Sequence, residues 1–204
     1  MLKARIAVLV SGGGTNLQAL IDAEKSGLIK SGSICLVVSN RADAYALERA
    51  ARSGIATATL LRKELGGQEG FEAALTELLR QWDIDLIILA GFMSILSEGF
   101  TGLYRDRIIN VHPSLIPSFC GKGFYGLRVH EAALEYGVKV TGATVHFVNE
   151  IPDGGRIILQ QAVPVLPGDS PETLQKRVME QAEWKLLPQA AEMVSADIVK
   201  GSAE

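Results

Sequence analysis

The sequence predicts an α/β fold: a doubly wound, mostly parallel sheet with helices on both faces and an antiparallel C-terminal hairpin added. Short apolar runs alternate with helical patterns through the first half of the chain, which is typical of a parallel sheet covered on both faces. Later segments alternate apolar and polar residues, as half-buried antiparallel strands do. The 204 residues suffice for one domain with a substantial core, and no linker composition divides them, so we expect a single domain over 1–204.

Five apolar runs predict the parallel strands, and three helical patterns lie between the first four of them. The strands are expected at Ile6 to Val10, Ile34 to Val38, Ala56 to Leu61, Leu86 to Ala90 and Ile108 to Val111. The helices are expected at Asn16 to Ser26, Ala44 to Ser53 and Gly70 to Trp82. Gly27 and Gly54 directly follow two of these helices, where glycine commonly ends a helix. Right-handed crossovers between such elements give a Rossmann-like core.

The remaining pattern predicts an edge hairpin and a closing helix. Ala143 to Val148 and Arg156 to Val165 alternate and are joined by the turn-rich segment Asn149 to Gly155, so we expect an antiparallel hairpin at one sheet edge. A last helix is expected from Pro171 to about Met193. Ser170 is suited to be its N-cap, and Pro171 to be its first residue.

Composition excludes several classes of function. Lys and Arg number 20 against 23 Asp and Glu, a net charge of −3, whereas nucleic-acid binding depends on clustered basic residues. Cys35 and Cys120 lie in unlike surroundings, so neither a disulfide framework nor a cysteine metal site is expected. The apolar run that ends before Ser11 is too short for a signal peptide, and no segment approaches membrane-spanning length. We therefore expect a cytoplasmic protein with no nucleic-acid or membrane partner.

The segment Asn110-Val-His-Pro-Ser-Leu115 is the strongest candidate for a catalytic motif. Residues two apart on a strand face the same way, so Asn110 and His112 should project side by side. Pro113 ends the strand, which places the pair at the carboxyl end, where open α/β sheets bind their ligands. Asp153 follows on a Pro-Asp-Gly-Gly turn. The sequence predicts that an amide, an imidazole and a carboxylate meet at one reaction centre.

A glycine-rich loop, Ser11-Gly-Gly-Gly-Thr-Asn16, connects the first strand to the first helix. Glycines let a ligand approach the backbone closely, and free amides at a helix start attract an anion, so the loop predicts a phosphate site. It is not a P-loop, because no Gly-Lys-Ser/Thr follows, and Leu17 occupies the third glycine position of the dinucleotide pattern. The alternative is a tight structural turn with Thr15 as helix cap.

Four stretches, in this order along the chain, resemble the phosphoribosylglycinamide formyltransferases, folate-dependent enzymes of purine synthesis in the formyltransferase superfamily. They are Ser11-Gly-Gly-Gly-Thr-Asn16, Ala90-Gly-Phe-Met-Ser-Ile-Leu96, Asn110-Val-His-Pro-Ser-Leu115, and Val145-His-Phe-Val148 leading to Asp153-Gly-Gly155. The resemblance implies direct transfer of a formyl group from the co-substrate 10-formyltetrahydrofolate to the glycine amine of 5-phosphoribosyl-glycinamide. No metal and no covalent intermediate are implied. We expect small-molecule partners and either a monomer or a homodimer.

The resemblance also implies roles for individual residues. Asn110 and a protonated His112 would donate hydrogen bonds to the oxygen that becomes negative when an amine attacks the formyl carbon. Asp153 would hold His112, raise its pKa and help to remove the proton of the amine. The residues implied for substrate phosphate and ribose are Gly14, Thr15, Asn16 and Glu183. Those implied for the folate pocket are Met93, Ser94, Ile95, Leu96 and Asn110. On this basis 1–111 is a phosphate-binding parallel half and 112–204 a folate and catalytic half.

Departures from the family pattern and competing functions qualify this hypothesis. Ser94 and Gln68 stand where relatives often carry Arg, so two positive charges that could bind the folate tail are absent from these positions. His146 is expected to be a supporting or substrate-side residue, and His130 a solvated one. Three other functions stay open: hydrolysis of 10-formyltetrahydrofolate, formylation of a charged tRNA, and nucleotide binding without chemistry. Formylation of a charged tRNA would call for a basic surface, which this sequence lacks. Hydrolysis leaves the phosphate loop without a use, and nucleotide binding without chemistry leaves the Asn-His-Asp set without one.

Overall fold

A computed structural model describes residues 2–201 as helices packed around one seven-stranded sheet. The strand order is β3-β2-β1-β4-β5-β6-β7, parallel from β3 to β5 and antiparallel at β6 and β7. The strands are β1 Ala4–Val10, β2 Gly32–Ser39, β3 Ala56–Thr59, β4 Leu86–Leu89, β5 Ile108–His112, β6 Val140–Phe147 and β7 Ile157–Pro164. The predicted α/β class, the doubly wound parallel core and the antiparallel C-terminal hairpin are confirmed.

Helices cover both faces of the sheet. They are α1 Thr15–Lys25, α2 Tyr45–Arg52, α3 Gln68–Gln81, α4 Glu98–Leu103, α5 Leu127–Tyr136, α6 Pro171–Val178 and α7 Trp184–Gly201. Alternate residues of β1 point to opposite faces: Ile6 and Val8 pack in the core beneath α1 and α7, whereas Ala7 and Leu9 pack against α3. Because both faces are buried, the central strands are almost continuously apolar.

The last helical region differs from its prediction. It begins at Pro171 with Ser170 as N-cap, as expected, but a π-helical turn over Met179–Glu183 separates α6 from α7. Helix α7 then continues to Gly201 rather than ending near Met193. Val194 and Ile198 are buried, so packing against the sheet carries the helix past the predicted end.

We predict that Ser170→Ala destabilises the protein by about 1 kcal/mol, the usual cost of losing an N-cap. The Ser170 hydroxyl accepts a hydrogen bond from the Thr173 backbone amide, and the Thr173 hydroxyl accepts one from the Ser170 amide. The free energy of unfolding measured in urea tests this. Ser170→Asp, which keeps an acceptor, is the matched control and should stay near the wild type. An alanine variant as stable as the wild type would contradict the capping role.

Candidate active site

A cavity of about 690 Å³ opens at the carboxyl ends of the central strands. Asn110 and His112 reach it from β5, and the segment 91–96 borders it after β4. Two loops, 121–126 and 148–153, form further walls, and Asn16 and Glu183 lie on another side. This is the position in which open α/β sheets bind ligands. The cavity therefore gathers residues that are up to 167 positions apart in sequence.

Asp153 lies between two histidines at the centre of the cavity. Its Oδ2 is 3.4 Å from His112 Nδ1, and its Oδ1 is 3.6 Å from His146 Nε2. Asn110 Nδ2 is 3.2 Å from the same His146 Nε2. The amide, imidazole and carboxylate predicted from sequence are thus brought together, and His146 connects Asn110 to Asp153. The second N–H of the Asn110 amide remains for a ligand.

The turn conformation places Asp153 at the site, and the pairing of β6 with β5 places His146 there. Asp153 has φ 58°, a left-handed conformation that Asp tolerates in turns. His146 on β6 pairs directly with Asn110 on β5, so the two side chains share one face of the sheet. The β5–β6 register is the signal that could have identified His146 as part of the site.

Burial decides the pKa of His112, even though Asp153 raises it as expected. Burial lowers the pKa of His112, and the charge of Asp153 and the carbonyl of Phe119 only partly offset it, so the net shift is downward. Burial by itself would raise the pKa of Asp153, but hydrogen bonding to His146 and the charge of His112 hold it below its usual value. Asp153 is thus ionised at neutral pH, and its charge raises the pKa of His112 as expected, although the net shift of that pKa is downward.

The loop that follows β5 contacts both His112 and Asp153. His112 Nε2 lies 2.8 Å from the Phe119 carbonyl oxygen, and the Gly121 amide donates to Asp153 Oδ2 at 2.8 Å. Both ring nitrogens of His112 therefore face protein acceptors. A neutral imidazole has one N–H and can satisfy only one of them. An added proton would satisfy both, so the surroundings favour charge on His112 while burial opposes it.

The glycine loop forms the predicted strand-to-helix turn. Gly14, with φ 72°, is the N-cap of α1, and no side chain caps this helix, so the alternative of Thr15 as cap was wrong. The Gly12 and Gly13 carbonyls accept hydrogen bonds from the Ala46 amide and from Arg49 Nε. A Cβ added at Gly14 would lie 2.7 Å from Ala46 Cβ, so glycine is also required for packing there.

Asn16 and Glu183 form a buried polar pair on one side of the cavity. Asn16 Nδ2 donates to Glu183 Oε2 at 2.8 Å, and Asn16 Oδ1 has no partner among the described residues. The π-helical turn carries Glu183, and such turns are frequent at functional sites. Burial raises the pKa of Glu183 to about 7, against the lowering effect of Asn16. The exposed Thr15 contacts Met179 of the same turn, with 4.0 Å between Oγ1 and Sδ.

We predict that Glu183→Gln stabilises the protein at pH 8 by up to about 3 kcal/mol and has little effect near pH 4. The folded protein binds the Glu183 proton more tightly than the unfolded chain does. This contribution is therefore complete below the unfolded pKa and is lost as pH rises to about 7. Unfolding free energies across this range test it. The exposed Glu180→Gln should change stability little at any pH, and a Glu183→Gln effect independent of pH would contradict the assignment.

The segment predicted to hold folate borders the cavity after β4. Met93 and Ile95 are 57% and 62% exposed, whereas Leu96 is buried in the core. The Met93 amide donates to Ser11 Oγ, and Ser94 Oγ accepts a hydrogen bond from Asn40 Nδ2. The segment therefore offers two apolar side chains to the cavity on a backbone held by polar contacts.

Gln68, the other departure from the family pattern, supports this segment. Its Nε2 donates to the Ile95 carbonyl at 3.0 Å and also contacts Glu72. Glu72 in turn accepts the amide and hydroxyl protons of Ser97, the N-cap of α4. Gln68 thus connects α3 to the wall of the cavity.

His130 does not lie where the sequence placed it. It was expected at the surface, but it is fully buried in the wall of the cavity. Its neighbours Val129 and Ala133 are also buried, so the inward face of α5 includes His130. Of its immediate neighbours in sequence, Val129 is apolar and Glu131 is charged, which gives no clear signal of burial.

Comparison with known proteins agrees with the fold. The family described as formyl transferase matches residues 4–191, and the chain belongs to that family. Among its relatives are the phosphoribosylglycinamide formyltransferases of Haemophilus influenzae and Escherichia coli. The Haemophilus influenzae protein is 45% identical over 90% of this chain, and the match covers 84% of that protein. The Escherichia coli protein is 46% identical over 86% of this chain, and the match covers 80% of that protein.

Longer relatives and solved structures extend the comparison. The human trifunctional purine biosynthetic protein adenosine-3 is 46% identical over 97% of this chain, which spans only 19% of that protein. The crystal structure of glycinamide ribonucleotide transformylase 1 from Symbiobacterium toebii has a TM-score of 0.89 and 43% identity. The match covers 96% of this chain and 89% of that one. The chain thus spans most of the length of some relatives and a small fraction of others.

Three further features bear on the predictions from composition. Cys35 and Cys120 are both free. Within residues 2–201, no three or more His, Cys, Asp or Glu side chains are grouped so that they could hold a metal ion. No helix in the same range combines the length and the apolar character needed to cross a membrane.

Proposed function

We propose that this chain transfers the formyl group of 10-formyltetrahydrofolate to the amine of 5-phosphoribosyl-glycinamide, giving 5-phosphoribosyl-N-formylglycinamide in de novo purine (IMP) biosynthesis. The names of its relatives support this reaction. The observation that carries the proposal is that one cavity joins the Asn110, His112 and Asp153 group to the Asn16–Glu183 pair. Transfer to a phosphoribosyl amine uses both groups.

The acceptor is expected to occupy the side formed by the glycine loop and the π-helical turn. Backbone amides at Gly14, Thr15 and Asn16, at the start of α1, are suited to the phosphate because no side chain caps this helix. The Glu183 carboxyl is suited to accept hydrogen bonds from ribose hydroxyls. Such donors would favour the ionised form of Glu183, which burial otherwise disfavours.

The formyl donor is expected on the opposite side, against residues 93–96 and Asn110. Met93 and Ile95 supply exposed apolar surface on which a pterin ring can lie. Backbone groups of Ser94 and Leu96 are expected to hydrogen-bond its polar edges. Such a mixture of apolar wall and few polar groups is usual for sites that bind flat heterocycles. The reactive formyl group would then face Asn110 and the two histidines.

The chemistry follows from the residues around Asp153. The amine attacks the formyl carbon, and the Asn110 amide and a His112 N–H donate to the oxygen that gains negative charge. At His112 Nε2, the formyl oxygen takes the place of the Phe119 carbonyl. Asp153, ionised at neutral pH, accepts a proton from the amine as the new C–N bond forms. That proton passes to N10 of the leaving tetrahydrofolate as the C–N10 bond breaks.

Loss of the formyl group with and without the acceptor tests the proposed function. Purified protein is incubated with 10-formyltetrahydrofolate in the presence and absence of 5-phosphoribosyl-glycinamide. We expect loss only when the acceptor is present, with one N-formylated product formed for each tetrahydrofolate released. Equal loss without the acceptor would identify a 10-formyltetrahydrofolate hydrolase instead. No loss in either case would reject both activities.

Three predictions from sequence stay predictions beside this proposal. They are the cytoplasmic location, the monomeric or homodimeric state, and the division into a phosphate-binding half and a folate and catalytic half at residue 111. The proposed contacts cross that division, because residues 93–96, expected against folate, precede residue 111, and Glu183, expected against the ribose, follows it.

A further inference from the structure

His130 is a buried polar residue for which residues 2–201 supply no hydrogen-bond partner. It is fully buried in the cavity wall, and neither ring nitrogen has a partner among the described residues. Buried polar groups in folded proteins are nearly always hydrogen-bonded, because each unpaired one costs about 1–3 kcal/mol. A phenylalanine would fill the same space without this cost. An imidazole here thus lowers stability unless a bound ligand or a water molecule supplies the missing partner.

The ring offers one hydrogen-bond donor and one acceptor. Burial, together with the positive charge of His112 when that residue is protonated, lowers the pKa of His130 to about 4. The imidazole is therefore neutral near pH 7, with one N–H and one bare nitrogen. A proton carrier for chemistry at neutral pH would need a pKa closer to 7. His130 is suited to bind a neutral group that both donates and accepts.

His130 lies on a helix that is connected through packing to the acceptor side of the cavity. Helix α5, which carries it, packs against α6, and α6 continues into the π-helical turn that holds Glu183. Gln175 of α6 borders the same cavity. His130 also lies close enough to His112 for their charges to interact. The ring thus lies near the reaction centre, on a helix that packs against the one leading to Glu183.

We propose that His130 is a further substrate-contacting residue, which hydrogen-bonds the amide of the glycinamide group in the bound acceptor. This rests on the proposed function. In that acceptor the glycinamide group joins the reactive amine to the ribose, and its secondary amide offers one N–H and one carbonyl. The segment directly before α5 borders the same cavity, and its Gly123 and Gly126 have positive φ, a conformation that glycine adopts without strain.

Two substitutions at His130 separate a role in ligand binding from a role in protein stability. His130→Phe keeps the ring and removes both nitrogens, while His130→Gln keeps a donor and an acceptor. Calorimetric titration of each variant with 5-phosphoribosyl-glycinamide, and separately with tetrahydrofolate, gives the two dissociation constants, and thermal melting gives stability. Glu131→Gln, on the exposed side of the same helix, is the control.

We expect His130→Phe to weaken acceptor binding about 5- to 10-fold, to leave tetrahydrofolate binding within about 2-fold, and to melt no lower than the wild type. His130→Gln should recover part of the acceptor affinity. Wild-type acceptor affinity in the folded Phe variant would overturn the inference, as would equal loss for both ligands. If His130→Phe does not fold, acceptor binding by His130→Gln no better than that of folded His130→Ala would also overturn it. A wild-type protein that binds no acceptor would instead reject the proposed function, and the inference with it.

Discussion

Replacing His112 with alanine is expected to lower kcat for formyl transfer about 100- to 1000-fold, the usual effect of removing one donor to a developing oxyanion. His112 is 4% exposed and lies at the reaction centre, where it contacts Asp153 and the Phe119 carbonyl. Its loss removes a donor, and the Asn110 amide remains. Because transition-state stabilisation is lost rather than ground-state binding, the effect should fall on kcat more than on KM.

Steady-state kinetics with both substrates varied measure this effect. Circular dichroism and thermal melting establish that the variant is folded. His112→Gln, which retains an N–H donor, is the matched variant and should keep more activity than alanine. Near-normal kcat in folded His112→Ala would remove His112 from the chemistry.

Replacing Asp153 with asparagine is expected to reduce kcat by a similar factor, about 100-fold or more. The substitution keeps the size of the side chain but removes the charge that faces His112 and His146. In the wild type, the same carboxylate also accepts a hydrogen bond from the Gly121 amide. It also removes the proposed acceptor of the amine proton. Since the charge of Asp153 raises the pKa of His112, that pKa should fall further in the variant.

Kinetics and an NMR titration of the His112 ring test the Asp153 prediction together. The wild-type ring should titrate below the usual range for histidine, and the variant ring lower still. The double variant His112→Ala/Asp153→Asn should lose little more than the worse single variant, because residues that act as one unit are not additive. An asparagine variant with wild-type kcat, or an upward shift at His112, would refute the role of Asp153.

The central parallel strands could be predicted because burial on both faces leaves them nearly continuously apolar, as in β4, where all four residues are buried. Helix α4 had no comparable signal, since its sequence Glu-Gly-Phe-Thr-Gly-Leu is short and contains two glycines. The π-helical turn at Met179–Glu183 was also invisible, because it adds a residue inside a continuous helical pattern. Long periodic elements are therefore predictable here, and irregularities within them are not.

The residues of the site were likewise predictable only in part. Asn110 and His112 could be paired from strand periodicity, and the Pro-Asp-Gly-Gly turn directed attention to Asp153. His130 and the pKa of His112 could not be predicted, because both depend on burial, which is set by elements distant in sequence. The family resemblance supplied Glu183, which no local pattern singles out. Its contact with Asn16 joins residues 167 apart and exists only in the folded chain.

A crystal structure with 5-phosphoribosyl-glycinamide and tetrahydrofolate bound together is the most direct test of how this cavity works. We predict that the phosphate lies at the amides of Gly14 and Asn16 and that the amine nitrogen lies about 3 Å from Asp153 or His112, within hydrogen-bond reach. Tetrahydrofolate N10 should face the same point from the side of residues 93–96. An amine bound far from Asp153, or a phosphate held elsewhere on the protein, would contradict this arrangement.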